Sequence, residues 1–381
     1  MRIAINLTRD HVAGITSTNI SLLNHLFRND HEFVGIELTD SIYMKGPVQF
    51  RAFAPEMFDH HILNIHDQPL SKVIKSSKTL EDVRLVYKPV IALIRKVLRE
   101  TKPDCILLNG TYYMPWLISL AAQQEKIPIV LWYAGILTKE EEHRSKRERA
   151  IFTEMERAMI DCAERIIFPS EICRKTVEEI VAKRILTNAV VIPNPIAQTF
   201  MEPSVVSHHS LRHIAAVGRY APIKNFDAFF AVHAYLKKKK WKHHATFVTA
   251  VYKGLENKVP KDIELLDSMN TEELKKFFLT QSLIVCPSLF ETFGNAPMEA
   301  VCLGIPVLVS NTMGCAEVLQ QVGLENMVMD FSDLAAVALR IQELAGQHIL
   351  PMQRNAIHRV LDHRHVGDQI EAVLMETATI D

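Results

Sequence analysis

The sequence predicts an α/β protein made of two Rossmann-like domains, each built on a parallel sheet. Short apolar runs of strand length alternate with amphipathic helical stretches along the chain, which is the order that parallel sheets with helices on both faces require. A length of 381 residues is more than one hydrophobic core usually supports, so we expect two domains. A polar stretch that follows Pro193-Asn-Pro195 separates the two series of elements.

The first series contains four runs that predict buried strands, and helical patterns lie between them. The runs are residues 3–7, 105–108, 127–132 and 165–168. Residues 81–101 have apolar side chains at helical spacing, and Pro89 predicts a kink within that helix.

The second series has the same alternation and ends in one more helical pattern. Its predicted strands are residues 213–217, 245–249, 283–286 and 307–309. We therefore expect an N-terminal domain over 1–196, a C-terminal domain over 197–364 and a final segment over 365–381. Helical spacing over residues 365–377 predicts that this segment is a helix that packs back on the N-terminal domain.

Composition excludes several classes of protein. A formal net charge of −1 gives no global field for nucleic acid. The chain opens on a strand-like run and has no apolar run near the ~20 residues of a membrane span, so we expect neither a signal peptide nor a transmembrane helix. The six cysteines form no C-x-x-C pair, which favours reduced thiols in a cytoplasmic protein.

Two carboxylates flank a predicted strand-to-helix junction in the second series. Glu291 follows the strand over 283–286, and Glu299 lies about one turn into the next helix, which Gly304 ends. Ligands of open α/β sheets bind at this edge, and such carboxylates can accept hydrogen bonds from sugar or ribose hydroxyls. An acidic residue that complements the helix dipole is an alternative that explains Glu299 but not Glu291.

Two cations follow the first strand of the same series. Arg219 and Lys224 lie in the strand-to-helix loop after residues 213–217, and Asn225 is placed as the N-cap of the next helix. Cations beside a helix N-terminus suit an anion such as a diphosphate. A solvated loop with two surface cations is the alternative for this stretch alone.

Together these motifs resemble the nucleotide-sugar domain of retaining GT-B glycosyltransferases of family 4, the glycosyl transferases group 1. The matching motifs are Gly218-Arg219-x4-Lys224-Asn225, Glu291-x7-Glu299, Val191-Ile-Pro-Asn194-Pro, Gly304-Ile-Pro306-Val, Gly314-Cys-Ala-Glu317-Val and Glu325-Asn-Met-Val-Met-Asp330. The resemblance covers nearly the whole second half closely, and the first half mainly by its order of elements. It implies two domains that face each other across a cleft.

The resemblance also implies roles for individual residues. Arg219 and Lys224 would hold the donor diphosphate, Glu291 would meet the transferred sugar, and Glu299 would meet the ribose. Glu291, Arg219 and Lys224 are then the catalytic candidates, because stabilising the leaving diphosphate is the main task. The full donor set is Gly14, Gly218, Arg219, Lys224, Glu291, Thr292, Phe293, Gly294, Asn295 and Glu299. No metal and no cofactor are implied, since the two cations take the place of an ion.

The departures from the family pattern lie mostly in the first half. The loop after the first strand has one glycine, Gly14, where the family usually has two, and Ala134 stands where a histidine is often found. Tyr112, Trp132 and Tyr133 follow strand ends and could line an acceptor site, because sugars stack on aromatic faces; packing between helix and sheet is the alternative.

A basic amphipathic stretch over residues 72–102 could dock on an anionic membrane surface, although a helix that packs its apolar face inward and solvates its charges is the simpler interpretation. We therefore expect a cytoplasmic enzyme, with peripheral contact at the inner face of the membrane as a further option.

The function that the sequence predicts is hexosyl-type transfer from a nucleoside diphosphate sugar to a hydroxyl, with retained anomeric configuration. The expected acceptor is a glycan or a lipid-linked molecule of cell-surface polysaccharide or glycolipid biosynthesis. Two alternatives stay open: a non-catalytic subunit that binds sugar nucleotides, and a GT-B sugar-nucleotide epimerase.

Overall fold

The computed structural model describes residues 1–7, 21–23, 25–26, 28–39, 58–64, 70–202 and 212–379. The chain divides into two compact units, Met1–Pro193 with Val366–Asp381, and Asn194–His365. The sequence-based boundaries after residues 196 and 364 differ from these divisions by a few residues at most. Gly14 and the polar stretch over residues 203–210 lie outside the described residues.

The first unit is built on a seven-stranded parallel sheet with the order β3-β2-β1-β4-β5-β6-β7. Its strands are β1 (Arg2–Leu7), β2 (Glu32–Thr39), β3 (Phe58–Asn64), β4 (Cys105–Asn109), β5 (Ile129–Trp132), β6 (Arg165–Phe168) and β7 (Ala189–Val191). The order runs outward from β1 in both directions, as it does in doubly wound folds.

Helices connect these strands. They are α1 (Leu70–Ser76), α2 (Leu80–Val86), α3 (Lys88–Thr101), α4 (Tyr113–Glu125), α5 (Leu137–Glu140), α6 (Lys146–Cys162) and α7 (Glu171–Val177), and residues 21–23 and 25–26 are also helical. The single kinked helix predicted over residues 81–101 is wrong, because Tyr87 (φ −91°, ψ 6°) separates α2 from α3. Pro89 lies in the first turn of α3, where its missing N–H removes no helical hydrogen bond.

The second unit has a six-stranded parallel sheet with the order β10-β9-β8-β11-β12-β13. Its strands are β8 (Arg212–Val217), β9 (His243–Val248), β10 (Glu264–Leu266), β11 (Leu283–Cys286), β12 (Val307–Ser310) and β13 (Val328–Met329). Its helices are α8 (Gln198–Met201), α9 (Phe226–Lys238), α10 (Thr271–Phe278), α11 (Asn295–Cys302), α12 (Cys315–Gln321), α13 (Leu334–Leu344) and α14 (Pro351–Leu361). The two predicted parallel-sheet Rossmann-like domains are thus confirmed.

The last helix, α15 (His363–Ala378), belongs to the first unit from Val366 onward. Its residues Val366, Ile370 and Leu374 are fully buried in one hydrophobic cluster with Ile3 and Leu22. This four-residue spacing places an apolar stripe of the helix on the first sheet. Among the helices that the structure describes, none combines the length and apolar character that crossing a membrane requires.

Candidate functional site

The predicted site residues of the second unit lie at one edge of its sheet. Strands β8, β11 and β12 are neighbours and run parallel, so the loops that follow them meet at their carboxyl ends. Lys224 lies in the loop after β8, and Glu291 lies in the loop after β11. Glu299 is the fifth residue of α11, the helix that this second loop leads into.

Lys224 and Glu291 form an ion pair between these two loops. The Lys224 Nζ lies 2.9 Å from Glu291 Oε2, and the two side chains are 25% and 19% exposed. Each group therefore remains accessible to solvent while it is held by the other. The contact joins the predicted phosphate-binding cation to the predicted sugar-binding carboxylate.

Further hydrogen bonds hold the loop after β11 in shape and join it to the loop after β8. Within the loop after β11, the Ser288 hydroxyl donates to Glu291 Oε1 at 2.7 Å, which fixes the second carboxylate oxygen. The Leu289 N–H donates to the Ile223 carbonyl at 2.8 Å. Asn225 was predicted to cap α9, and this is wrong for its side chain: it adopts a left-handed conformation (φ 51°) and its amide donates to the Pro287 carbonyl at 3.1 Å. The Asn225 side chain thus links the loop after β8 to the end of β11.

Gly294 allows the loop after β11 to approach the loop after β12. Its φ of +112° lies in the left-handed region, and a Cβ on it would stand 2.8 Å from Met313 Cε and 3.0 Å from Cys315 Sγ. Just before it in the chain, the Glu291 carbonyl accepts from the Gly314 N–H and the Phe293 carbonyl accepts from the Cys315 N–H, at 3.0 and 2.8 Å. The position of the Glu291 backbone is thus fixed by the loop after the neighbouring strand β12.

Glu299 is a buried carboxylate, with 8% of its surface exposed. Burial raises its pKa to about 7, because the charged form loses hydration there. Within the described parts of the chain, no group hydrogen-bonds or ion-pairs with this carboxylate. A buried carboxylate without donors is unfavourable unless a ligand supplies them.

The N-terminus of α11 has no side-chain cap, and Gly294 occupies the capping position. The first N–H groups of a helix have no partner within the helix, and they carry partial positive charge. Thr292 and Phe293 are buried just before this terminus, and Asn295 opens the helix. The arrangement can receive an anion beside the Lys224 side chain.

Gly218 and Arg219 occupy the turn directly after β8. Gly218 has a φ of +147°, and a Cβ there would stand 3.3 Å from Phe226 Cζ, so the turn requires glycine. Arg219 follows it on the exposed surface. The structure thus places both predicted cations, Arg219 and Lys224, in one strand-to-helix connection.

Asn194 contacts a candidate site residue, although no separate role is predicted for it from the sequence. It is 7% exposed, and its amide donates to Asn295 Oδ1 at 3.0 Å. This hydrogen bond fixes the first side chain of α11 from a residue 101 positions away. Only its place in the motif Val191-Ile-Pro-Asn194-Pro pointed to it.

The aromatic candidates of the first unit differ from one another. Trp132 and Tyr133 are 1% and 0% exposed, and the Tyr133 ring packs on Phe168 with centroids 4.8 Å apart. The packing alternative therefore describes these two side chains, and in this structure neither offers surface to an acceptor. Tyr112 is half-buried, with its hydroxyl 3.4 Å from Asn6 Nδ2, and it stays an acceptor candidate.

The basic stretch over residues 72–102 includes its own counter-charges. Arg95 and Arg99 contact Glu125 of α4 at 2.6 and 3.2 Å, and Lys96 lies 3.8 Å from Glu100. These ion pairs reduce the positive charge that a membrane surface would meet. Membrane contact through this stretch stays a prediction.

Two parallel-sheet Rossmann-like units, the second with cations and carboxylates at its carboxyl edge, define the GT-B class of fold. Residues 14–200 match the family model described as Glycosyltransferase Family 4, and residues 212–347 match Glycosyl transferases group 1. The chain belongs to this family of glycosyltransferases.

Solved structures of similar fold span nearly the full chain. One is sucrose-phosphate synthase from Thermosynechococcus elongatus, with a TM-score of 0.76 and 14% identity over 98% of each chain. Another is an Escherichia coli structure described as trehalose-6-phosphate bound with UDP-2-fluoro glucose, with a TM-score of 0.70 and 13% identity over 100% of each chain. At such identities the likeness concerns the fold alone.

A curated relative in sequence is an uncharacterised 41.2 kDa protein in the cps region of Klebsiella pneumoniae, 25% identical over 138 residues. The match covers 36% of this chain, and the chain spans only 37% of that relative's length.

Proposed function

We propose that this protein transfers a glycosyl unit from a nucleoside diphosphate sugar to a hydroxyl acceptor with retained anomeric configuration. The observation on which this depends is the Lys224–Glu291 ion pair, beside the uncapped start of the helix that contains Glu299. Family membership and the GT-B fold support the class of reaction.

The donor diphosphate binds Lys224, Arg219 and the N–H groups at the start of α11. In the structure Glu291 is the anion that Lys224 contacts, at 2.9 Å. A diphosphate replaces it as the partner of Lys224 and brings more negative charge to the same cation. The helix terminus and the exposed Arg219 complete the neutralisation without an ion.

The ribose binds Glu299. Two ribose hydroxyls supply the hydrogen-bond donors that this buried carboxylate does not find among the described residues. Each hydrogen bond to a charged group contributes about 1.5–3 kcal/mol. Ribose binding also favours the ionised form and so lowers the pKa of Glu299 from the value of about 7 that burial alone gives it.

The transferred sugar contacts Glu291. The Ser288 hydroxyl keeps Glu291 Oε1 in place, so Oε2 is the oxygen that exchanges Lys224 for sugar hydroxyls. In a retaining transfer the acceptor attacks from the face that the diphosphate leaves, and the leaving diphosphate accepts the acceptor proton. The protein then contributes mainly electrostatic stabilisation of the leaving group, through Lys224 and Arg219.

The acceptor class is a glycan or a lipid-linked hydroxyl. Of the three aromatic candidates Tyr112, Trp132 and Tyr133, Tyr112 is half-buried after β4 and can contact a sugar. A cytoplasmic enzyme with peripheral membrane contact is consistent with such an acceptor.

The direct test is nucleoside diphosphate release from a panel of UDP-, GDP-, ADP- and TDP-sugars, in the wild-type chain and in Glu291→Gln. We expect slow release from one donor and loss of that release in the variant. A non-catalytic subunit would bind one donor and never release nucleotide with any acceptor. An epimerase would instead return an altered donor sugar, which NMR of the recovered donor detects. No binding of any donor would contradict the proposal.

A further inference from the structure

A histidine and two carboxylates converge in the first unit, and none of the three belongs to the proposed donor set. His25 lies in the helical segment formed by residues 21–23 and 25–26, and Asp368 and Glu371 lie on α15. The two acidic residues are three positions apart, so they share one face of that helix. The His25 side chain is 7% exposed, and those of Asp368 and Glu371 are 69% and 16% exposed.

The separations of the three polar atoms suit one metal ion. His25 Nε2 lies 3.0 Å from Asp368 Oδ1 and 3.6 Å from Glu371 Oε2, and all three atoms are within 4.8 Å of one another. Two ligands at about 2.0–2.2 Å from a tetrahedral zinc ion are about 3.3–3.6 Å apart. Small side-chain rotations therefore bring these atoms to ligand positions.

Hydrogen bonds from the same part of the unit orient Glu371. His31 Nε2 lies 2.6 Å from Glu371 Oε1, and the Asn29 amide donates to Glu371 Oε2 at 2.5 Å. The His31 side chain is itself 8% exposed. Outer groups that hold a carboxylate in this way are typical of metal sites, where they fix the orientation of the ligand.

Gly367 permits the close approach of the His25 ring to α15. A Cβ at this position would stand 2.3 Å from His25 Cδ2 and 2.4 Å from His25 Cγ. The helix thus has no side chain at this position, where the ring lies against it.

One imidazole nitrogen lies within reach of two carboxylates. His25 Nε2 faces Asp368 Oδ1 and Glu371 Oε2 and also lies 3.4 Å from the Asn29 amide nitrogen. One divalent cation can bind both carboxylates and an imidazole lone pair together.

We propose that His25, Asp368 and Glu371 bind one zinc ion, with water as the fourth ligand. The ion joins α15 to the N-terminal helical segment and so stabilises the attachment of the C-terminal helix to the first unit. His31 and Asn29 act as positioning residues for Glu371. The zinc site is independent of the proposed donor chemistry, because neither its ligands nor its positioning residues belong to the donor set.

The test is zinc binding by the full chain after removal of metals with a chelator. Calorimetry should give one zinc ion per chain, and zinc should raise the melting temperature. Asp368→Asn alters a largely exposed side chain, so it should fold normally and weaken zinc binding about tenfold or more. His25→Gln should abolish the site.

His244→Gln is the matched control, because His244 pairs with Glu264 at 2.9 Å in the second unit and belongs to no three-ligand group among the described residues. It should leave the zinc stoichiometry and affinity unchanged. Absence of zinc binding would overturn the proposal, as would equal affinity in wild type and Asp368→Asn, or loss of binding in His244→Gln.

Discussion

Lys224 Nζ lies 2.9 Å from Glu291 Oε2, so a cation from the loop after β8 and a carboxylate from the loop after β11 neutralise each other. A nucleotide that binds Lys224 must replace this carboxylate. Removal of the Glu291 charge therefore has opposite effects on nucleotide binding and on sugar transfer.

We predict that Glu291→Gln lowers the rate of donor cleavage about 100-fold or more, because the variant loses the charged contact to the sugar. Its affinity for the free nucleoside diphosphate should stay equal or increase, since Lys224 no longer pairs with a carboxylate. Initial rates and calorimetry measure the two effects. Glu264→Gln, which removes a carboxylate paired with His244, is the control and should change neither. Near-normal turnover of Glu291→Gln would defeat the assignment.

Donor affinity should increase about tenfold between pH 6 and pH 8. The Glu299 pKa of about 7 means that this carboxyl is mostly protonated at pH 6, and only the ionised form accepts from both ribose hydroxyls. Calorimetry with an intact nucleotide sugar across this range measures the change. Glu299→Gln should show weak affinity without the pH dependence, and an unchanged pH profile in this variant would contradict the role of Glu299.

The same pKa predicts an effect on stability of the opposite sign. The carboxyl of Glu299 loses its proton near pH 4.5 in the unfolded chain and near pH 7 in the folded one, so the folded state binds the proton more tightly. Its contribution to stability is therefore fully present below pH 4.5 and is lost as the pH rises through 7. Melting temperatures should show Glu299→Gln gaining relative to wild type from pH 5 to pH 8. A constant difference between the two proteins would contradict this.

Gly294→Ala should destabilise the second unit and weaken donor binding. The new Cβ would stand 2.8 Å from Met313 Cε, and the residue would also keep a φ of +112°. Gly254→Ala isolates the second effect, because its φ is +93° with nothing within 4 Å of the new Cβ. Thermal unfolding should show a larger loss for Gly294→Ala, by about 1–3 kcal/mol. Equal losses would mean that close packing at Gly294 is unimportant.

Chelation should leave the initial rate of donor cleavage unchanged, because the side chains of Lys224 and Arg219 neutralise the diphosphate and no metal ion takes part. The assay is run at 25 °C, well below unfolding, so that loss of the proposed zinc ion affects only the melting temperature. Magnesium should not increase the rate. A strict requirement for magnesium would contradict the proposed mechanism.

Buried strands of the sheets were the part of the fold that the sequence predicted best. Residues 165–168 and 283–286 coincide with β6 and β11, because strands covered on both faces are continuous apolar runs. The edge strand β3 has the sequence FDHHILN and was not predicted, because its polar residues interrupt the apolar run that indicates a buried strand. Strand β5 begins at Ile129, two residues after the predicted start at residue 127. Pro128 has no N–H to donate to a neighbouring strand, and the Ile127 N–H bonds the Ala122 carbonyl at the end of α4 instead.

The sequence predicts those features of the site that depend on local motifs, and not those that depend on contacts between loops. The residue types at Lys224, Glu291 and Glu299 and their places after strands follow from spacing along the chain. The Asn194–Asn295 hydrogen bond and the approach of Gly294 to Cys315 depend on tertiary contacts between separate loops. The burial of Trp132 was likewise decided by packing, since aromatic residues after a strand suit either a core or a cleft.

The most direct test of the central claim compares nucleoside diphosphate binding in Lys224→Ala and Arg219→Ala with that in Lys237→Ala. Lys237 is a matched control, because it is also a lysine in an ion pair, in its case with Asp262. It lies in the last turn of α9, at the opposite end of that helix from Lys224. Calorimetry should show binding weakened by about 1–3 kcal/mol in each of the first two variants and unchanged in the third. Wild-type affinity in both Lys224→Ala and Arg219→Ala would show that the nucleotide does not bind at this edge of the sheet.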